Sequence, residues 1–343
     1  YYFARHEQGL SHAADGYARV SGKVGVCLAT SGPGATNLVT GIMTAHMDSI
    51  PLLAITGQVR SNLLGRDAFQ ETDIVGITVP ITKVNYLVQS IKDIPKIIKE
   101  AYFIASTGRP GPVLVDIPND IQQQEISYEE FNRLFDKEVK LEGYDPTYVG
   151  HPVQIKRALS LIKKAKKPLI IAGAGVMKSG ASKELLELAN KMDIPVTTTL
   201  LGLGAFPENH ELSLGMLGMH GTVPANYATD EADLVIAAGI RFDDRIAGNP
   251  SKFCERAKII HIDIDPAEID KNKKADVPIV GDLKNVLSEI NKELEPQDHK
   301  EWTDKVKEWK KEYPLAHRDV GKDKLLPQEV LKAINDILDG DTI

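Results

Sequence analysis

Cysteine is nearly absent from this chain. Only Cys27 and Cys254 occur in 343 residues, too few for a disulfide framework or a zinc site, and a reducing compartment follows as the default. Long apolar runs are missing too. No stretch approaches the roughly 20 residues that cross a bilayer, so no membrane role is expected and a cytoplasmic location is. There is no basic excess: the net charge is −7, whereas binding a phosphate backbone calls for a basic surface, so nucleic acid is not an expected partner. No internal repeat or low-complexity tract is visible, and no cluster has metal-ligand spacing. His46, His151, His210 and His317 have no acid or nucleophile partner at a readable spacing and read as structural. The first residue is Tyr1 rather than Met, and it runs straight into a helical pattern. Gly340-Asp341-Thr342-Ile343 stops where a strand would begin. Both ends read as cut, so the lack of a targeting peptide carries no meaning.

What is present is strand–helix alternation, sustained over a length that suits two domains and part of a third. In the first ~125 residues, helices are expected over Leu10–Val20, Ala35–His46 and Ile94–Ala105, with apolar strands at 24–29, 51–56 and 113–117. Residues 126–150 are charged, lack a buried strand and read as a linker. The pattern restarts with helices Gln154–Lys164 and Ser182–Met192 and strands at 168–172, 194–198, 233–238 and 258–264. Continuous apolar strands separated by helices mean parallel sheets covered on both faces. The expected fold is α/β, with two doubly wound parallel-sheet domains at 1–125 and 151–296. Residues 297–343 read as a linker, charged and helical over Glu301–Glu312, followed by the opening helix of a third domain, from Pro327 to Leu338.

The polar strings between these elements carry the chemistry. Arg5-His6-Glu7-Gln8-Gly9 opens a helix, where a lone glutamate would ordinarily complement the dipole. Ala13-Ala14-Asp15-Gly16-Tyr17-Ala18-Arg19 follows. Thr30-Ser31-Gly32-Pro33-Gly34-Ala35-Thr36-Asn37 is a strand–glycine–helix turn, which taken alone suits an anion. Thr56-Gly57-Gln58, Phe69-Gln70-Glu71 and Gly108-Arg109-Pro110-Gly111-Pro112-Val113 complete the first set. In the second domain, Ala172-Gly173-Ala174-Gly175 follows a strand, but Lys178 stands where a dinucleotide fingerprint needs its third glycine; the local reading is a tight strand–helix turn. Further strings are Leu217-Gly218-Met219-His220-Gly221-Thr222, Gly239-Ile240-Arg241-Phe242-Asp243-Asp244-Arg245, His261-Ile262-Asp263-Ile264-Asp265-Pro266 and Gly281-Asp282.

In order and spacing these strings resemble the acetolactate synthase large catalytic subunits and their thiamine-diphosphate relatives, over essentially the whole chain. The resemblance implies a pyrimidine-binding first domain and a central FAD-binding domain. It gives Glu7 the task of hydrogen-bonding the pyrimidine ring nitrogen, so that the cofactor can lose its C2 proton; such a carboxyl works best with a pKa raised by a dry site. Pro33 and Asn37 would lie near that ring. Phe69 and Gln70 would reach the active site from the neighbouring subunit, and Arg245 would face the carboxylate of a 2-ketoacid at the site mouth. FAD would be held by Arg109, Gly173, Ala174, Gly175, Leu200, Leu201, Met219, His220, Gly239, Arg241, Asp243, Arg245, Asp263, Ile264 and Asp282, with Asp263 on the ribose hydroxyls. Asn119 stands where several members of the family have Lys.

The implied reaction is decarboxylation of pyruvate and carboligation to a second pyruvate or 2-ketobutyrate, in branched-chain amino-acid synthesis. It involves no net oxidation, so FAD would be structural. A homodimer or tetramer is implied, with a small regulatory subunit as a possible partner. Mg²⁺ and the diphosphate are held in this family by a Gly-Asp-Gly string with an Asn-rich end; neither Gly281-Asp282-Leu283 nor Gly340-Asp341-Thr342 fits, which places the metal site in a domain not contained here and this chain alone as inactive. A pyruvate oxidase would share the two cofactors, but the strings at 219–222 and 241–245 resemble the synthase more. Glyoxylate carboligase is disfavoured by the presence of Glu7. A non-catalytic FAD- or nucleotide-binding module is the reading from another class.

Overall fold

The computed structural model describes residues 2–136, 138–139, 141–316 and 325–338. It forms two compact units, Tyr1–Tyr148 and Val149–Ile343.

The first unit is built on four parallel strands: β1 (Gly25–Ala29), β2 (Leu52–Gln58), β3 (Val84–Leu87) and β4 (Pro112–Pro118), in the order β1-β2-β4-β3. The two central strands are apolar on both sides, and alternation sorts their residues. Leu52, Ala54 and Leu114 join a core with helices Glu7–Ser21 and Val39–Met47. Leu53, Val113 and Val115 join another with helix Ile94–Ser106. This is the pattern that a parallel sheet covered on both faces requires.

The second unit has six parallel strands: β5 (Pro168–Ala172), β6 (Val196–Thr198), β7 (Ser213–Met216), β8 (Leu234–Ala238), β9 (Lys258–Asp263) and β10 (Val277–Val280). Their order is β10-β9-β8-β5-β6-β7. The chain winds outward one way from β5 and the other way from β8, which makes the β5/β8 junction the topological switch point where such sheets take ligands. Helices Pro152–Lys164, Ser182–Lys191 and Leu283–Glu293 cover one face. Helices Val223–Glu231 and Lys300–Glu312 cover the other.

Two boundaries differ from the sequence expectation. The 126–150 stretch holds a helix, Tyr128–Phe135, started by Ser127, whose hydroxyl accepts from Glu130 N at 3.2 Å. Beyond it, Leu141 and Tyr144 pack on the first core. Tyr144 Oη donates to Thr107 O at 2.8 Å and accepts from Lys83 Nζ at 2.9 Å. The segment therefore belongs to the first unit. Likewise, helix Lys300–Glu312 is charged outside but buries Trp302 and Val306 in the second core, with Trp302 Nε1 on Pro168 O at 2.9 Å. Burying such side chains is worth about 1.5–3 kcal/mol each, enough to dock a helix whose other positions are polar. Pro327–Ile337 is a helix with no buried residue. His317 and the strand expected to begin near Gly340 lie outside the described residues. Among those described, no helix is long and apolar enough to cross a membrane, and Cys27 and Cys254 are free and buried.

Glycine sets how closely helix Glu7–Ser21 lies on the sheet. A methyl group at Gly25 would run into the Ala14 carbonyl, whereas at Gly16 it would meet nothing within 4 Å. Opposite effects should follow. Gly25→Ala overpacks the junction and should cost about 1–3 kcal/mol. Gly16→Ala improves helix propensity and should gain up to about 1 kcal/mol. Thermal unfolding of the two variants checks this; equal melting shifts would contradict the packing.

Candidate functional site

The helix that carries Glu7 starts at that residue. His6 precedes it in extended backbone and accepts from Gln8 N through Nδ1 at 3.1 Å. Asp15 and Arg19, one turn apart on the same helix, pair at 2.8 Å, and Arg19 reaches Asp48 at 2.7 Å. These charges tie the helix down and leave Glu7 at its open end. The chain leaving β1 turns through Gly32, at φ 62°, into the short helix Pro33–Asn37. Asn37 Nδ2 donates to Glu7 Oε2 at 3.0 Å. A methyl at Gly34 would stand 3.5 Å from Glu7 Oε1, so the loop backbone lies directly against the carboxylate. Pro33 is exposed beside it. Glu7, Pro33, Gly34 and Asn37 thus form one group.

The electrostatics of this group differ from expectation. The Glu7 carboxyl is held below its usual range, not raised. The Asn37 hydrogen bond is the main cause and the residue's own backbone N–H the next; burial opposes them and loses. Glu7 is only partly covered, so desolvation is too weak to outweigh donors that favour the charged form.

Gly32 is accounted for by Gln70 rather than by an anion: a methyl there would come within 2.8 Å of Gln70 O and 2.9 Å of Gln70 Cβ. Gln70 itself has φ 59°, a conformation costing a non-glycine residue roughly 1–2 kcal/mol. Such strain persists only where the surroundings over-determine it. Here the Glu71 carboxylate accepts from the amides of Gly65, Ala68 at 2.9 Å and Arg66 at 3.3 Å, and Gln58 Nε2 donates to Thr72 O at 2.7 Å. Phe69 is 89% exposed at the tip. Gln70 and Glu7 are therefore gathered by one and the same chain, and any subunit that presents Glu7 presents Phe69 and Gln70 with it. Asn119 begins the short helix Asn119–Gln122, and its Oδ1 accepts from Gln123 Nε2 at 3.1 Å. Arg109 Nε donates to Ser49 Oγ at 2.7 Å within the first unit.

In the second unit the singled-out residues collect at the carboxyl ends of the strands. Gly173 and Gly175 follow β5 and meet Gly239, which follows β8: a methyl at Gly175 would lie 2.7 Å from Gly239 Cα. Their amides are already used, Gly173 N on Ala238 O at 2.9 Å and Gly175 N on Gly239 O at 3.3 Å. The glycines pack the switch point rather than offer free donors. Leu200 and Leu201 follow β6 and Met219 follows β7; all three are exposed apolar side chains on this edge. Met219 and Arg245 line a cavity of about 390 Å³ with Asp230, Asn249 and Lys252. Arg245 is 77% exposed and lies 3.9 Å from Asp244. Arg241 lies 3.8 Å from Asp243, whose carboxylate accepts from Arg245 N. Between them Phe242 is buried at φ 48°, edge-on to His261 and Phe253. At the β9 and β10 ends, Asp263 Oδ1 accepts from Asp265 N, Gly281 N donates to Asp263 O, and Asp282 caps the next helix through Asn285 N. Ile264 is half-buried and His220 exposed.

Residues 1–77 match the family model described as "Thiamine pyrophosphate enzyme, N-terminal TPP binding domain", and residues 155–290 match "Thiamine pyrophosphate enzyme, central domain". The chain belongs to the thiamine pyrophosphate enzyme family. It is 52% identical to the "Probable acetolactate synthase large subunit" of Methanococcus aeolicus, over 98% of this chain and 57% of that protein. It is 51% identical to the "Acetolactate synthase large subunit" of Buchnera aphidicola subsp. Schizaphis graminum, over 96% and 58%, and 51% identical to that of Corynebacterium glutamicum, over 99% and 54%. The chain spans a little over half the length of the curated relatives it matches.

Membership of the thiamine pyrophosphate enzyme family makes the Glu7 group the place to look for cofactor contacts. Sequence reasoning quoted Thr56, Gln58 and Phe242 within their strings and Asp116 within its strand but gave none of them a role: Thr56, Gln58 and Asp116 join under the Phe69 loop, and in the second unit Phe242 is buried between Arg241 and Asp243. The available signals were a lone Asp in an apolar strand and a bulky aromatic inside a charged string. The Glu7 environment has a direct test. Asn37→Ala removes the largest cause of the depressed pKa, so the Glu7 carboxyl should titrate at higher pH than in the unaltered chain. Carboxyl carbon NMR titration of the two proteins checks it; an unmoved midpoint would show that Asn37 does not set the charge state.

Proposed function

We propose that the whole protein is an acetolactate synthase, forming acetolactate from two pyruvates or the analogous product from pyruvate and 2-ketobutyrate, and so acting in branched-chain amino-acid synthesis. The observation that supports it most is the ionisable Glu7 carboxylate set against the glycine loop beside Asn37, in a chain that matches the N-terminal thiamine pyrophosphate binding domain. These residues fit an aminopyrimidine: an ionisable carboxylate lies 3.5 Å from where a Gly34 side chain would begin, and the exposed Pro33 stands next to that loop glycine. When bound, thiamine diphosphate supplies the acidic C2 carbon and the electron sink for decarboxylation. Glu7, kept ionised by Asn37, would accept a hydrogen bond from the pyrimidine ring nitrogen and hold a proton at that atom. Phe69 and Gln70 border the reacting carbon and exclude water. Arg245 takes the carboxylate of the incoming 2-ketoacid.

The second unit, in this reading, holds FAD across the β5/β8 switch point. The exposed Leu200, Leu201 and Met219 offer an apolar surface to a ring system, and solvent-facing apolar clusters of this kind mark binding sites. Arg241, Asp243, Asp263, Ile264 and Asp282 border it, with Gly173, Ala174, Gly175 and Gly239 giving close backbone approach and His220 at the rim. FAD is structural, since carboligation needs no oxidant. Mg²⁺ and the diphosphate belong to the remaining part of the relatives' length. The working protein is at least a homodimer, with a small regulatory subunit as a further partner.

In the full-length protein, Glu7→Gln keeps the shape and removes the charge, so acetolactate formation at saturating thiamine diphosphate should fall by about 10²–10⁴-fold, the usual contribution of such a group. A rate near that of the unaltered protein would sink the assignment. The flavin site is tested separately by fluorescence quenching: FAD should bind this chain with a Kd in the micromolar range, about 8 kcal/mol, and Arg241→Ala should weaken it without unfolding the unit. A folded chain that ignores FAD would overturn that half of the reading.

A further inference from the structure

Asp116 takes no part in the chemistry above, yet it is a carboxylate set deep in the first sheet. It lies on β4, 1% exposed, in a strand otherwise apolar. Both carboxylate oxygens accept from neutral donors on β2: Thr56 Oγ1 at 2.7 Å and Gln58 Nε2 at 2.9 Å. The same Gln58 amide nitrogen donates to Thr72 O at 2.7 Å, while Gln58 Oε1 accepts from Val59 N at 2.9 Å. Every polar atom of the Gln58 side chain is therefore used, and its orientation is fixed from both ends. Thr72 closes the loop that carries Phe69 and Gln70, and Gln70 lies against Gly32 beside Glu7. Inside that loop Glu71 stitches three amides together, which makes it a stiff unit. The Gln58–Thr72 bond is a point where that unit is fastened to the sheet.

We propose that Asp116 is a positioning residue: through Gln58 and Thr72 it holds the Gly65–Thr72 loop so that Phe69 and Gln70 face the Glu7 group. This rests on the reading of Phe69 and Gln70 as site residues. A carboxylate suits the position because it accepts from two converging donors, and a hydrogen bond to a charged acceptor is roughly twice as strong as a neutral one. The cost is a buried charge, with no cation among the described residues acting on its titration. Burial pushes the Asp116 carboxyl up to about 6, against the opposing pull of Thr56 and Gln58, and Asp73 at the start of helix Ile74–Thr78 adds repulsion. The neighbouring acids are engaged elsewhere, Glu71 on the loop amides and Asp120 on Ser61 N at 2.8 Å. The closed loop thus binds a proton more tightly than an open one that exposes Asp116 to water. Opening should become easier as pH rises from about 4 to about 6 and level off above, since an exposed Asp titrates near ~3.9.

Hydrogen exchange of segment 65–72 in the full-length protein, corrected for intrinsic rates, tests this without reference to activity. In the unaltered protein, opening should be about tenfold rarer at pH 5 than at pH 7. Asp116→Asn should keep the loop protected, since its Oδ1 can serve Gln58 and its amide Thr56, but lose the difference between the two pH values. Gln58→Leu should raise exchange in 65–72 at least tenfold while protection in helix Ile94–Ser106 holds. A pH difference that survives in Asp116→Asn, or a Gln58→Leu loop as protected as the original, would overturn the inference. If the full-length protein forms no acetolactate, the functional reading fails, and the exchange pattern still decides whether Asp116 positions the loop.

Discussion

A parallel sheet covered by helices on both faces leaves little room for chemistry except along the edge where its strands end. Both units obey this constraint. In the first, the carboxyl ends of β1, β2 and β4 feed the Gly32 loop, the Gln58 anchor and the helix Asn119–Gln122. In the second, the ends of β5, β6, β8, β9 and β10 carry every residue singled out for the flavin except Arg109, Met219 and His220; the last two follow β7. Glu7 is the instructive exception, since it reaches the edge from the start of a helix. The close approach at Gly25 lets that helix lie low enough for the Asn37 bond to form.

The glycines divide by what fills the space a side chain would need. At Gly173, Gly175 and Gly239 it is the protein's own backbone, and the amides are already bonded. At Gly32 it is Gln70, held in a conformation that costs roughly 1–2 kcal/mol. At Gly34 one of the neighbours is the Glu7 carboxylate. A glycine-rich turn after a strand therefore has three separate physical causes within one chain. Sequence alone does not separate them, because each is decided by residues remote in the chain.

What was legible was the interior. β2, β4, β5, β8 and β9 are mainly apolar and mostly buried on both faces, and stood out as such. The strands not foreseen, β3, β7 and β10, all lie at sheet edges. Edge strands are half solvated, and theirs carry Asn85, Ser213 and Pro278, so no apolar run marks them. The misplaced boundaries have a related cause: the charge around Tyr128–Phe135 reads as linker, and the helix Lys300–Glu312, legible as a helix, reads as undocked because its outer face is charged, while the docking is done by a few side chains such as Tyr144 and Trp302. The chemistry-bearing strings were legible as a set, whereas the direction of the Glu7 pKa was not, since it turns on one hydrogen bond across 30 residues of sequence.

The central claim is that Glu7 acts on the cofactor ring and thereby on the proton at C2. The most direct measurement is the rate at which that C2 proton exchanges with deuterium oxide when thiamine diphosphate is bound to the full-length protein, read by proton NMR after rapid quench and compared with Glu7→Gln. The account predicts exchange slowed by about 10²–10⁴-fold in the variant, with the cofactor still bound. Exchange at equal rates in the two proteins would contradict it.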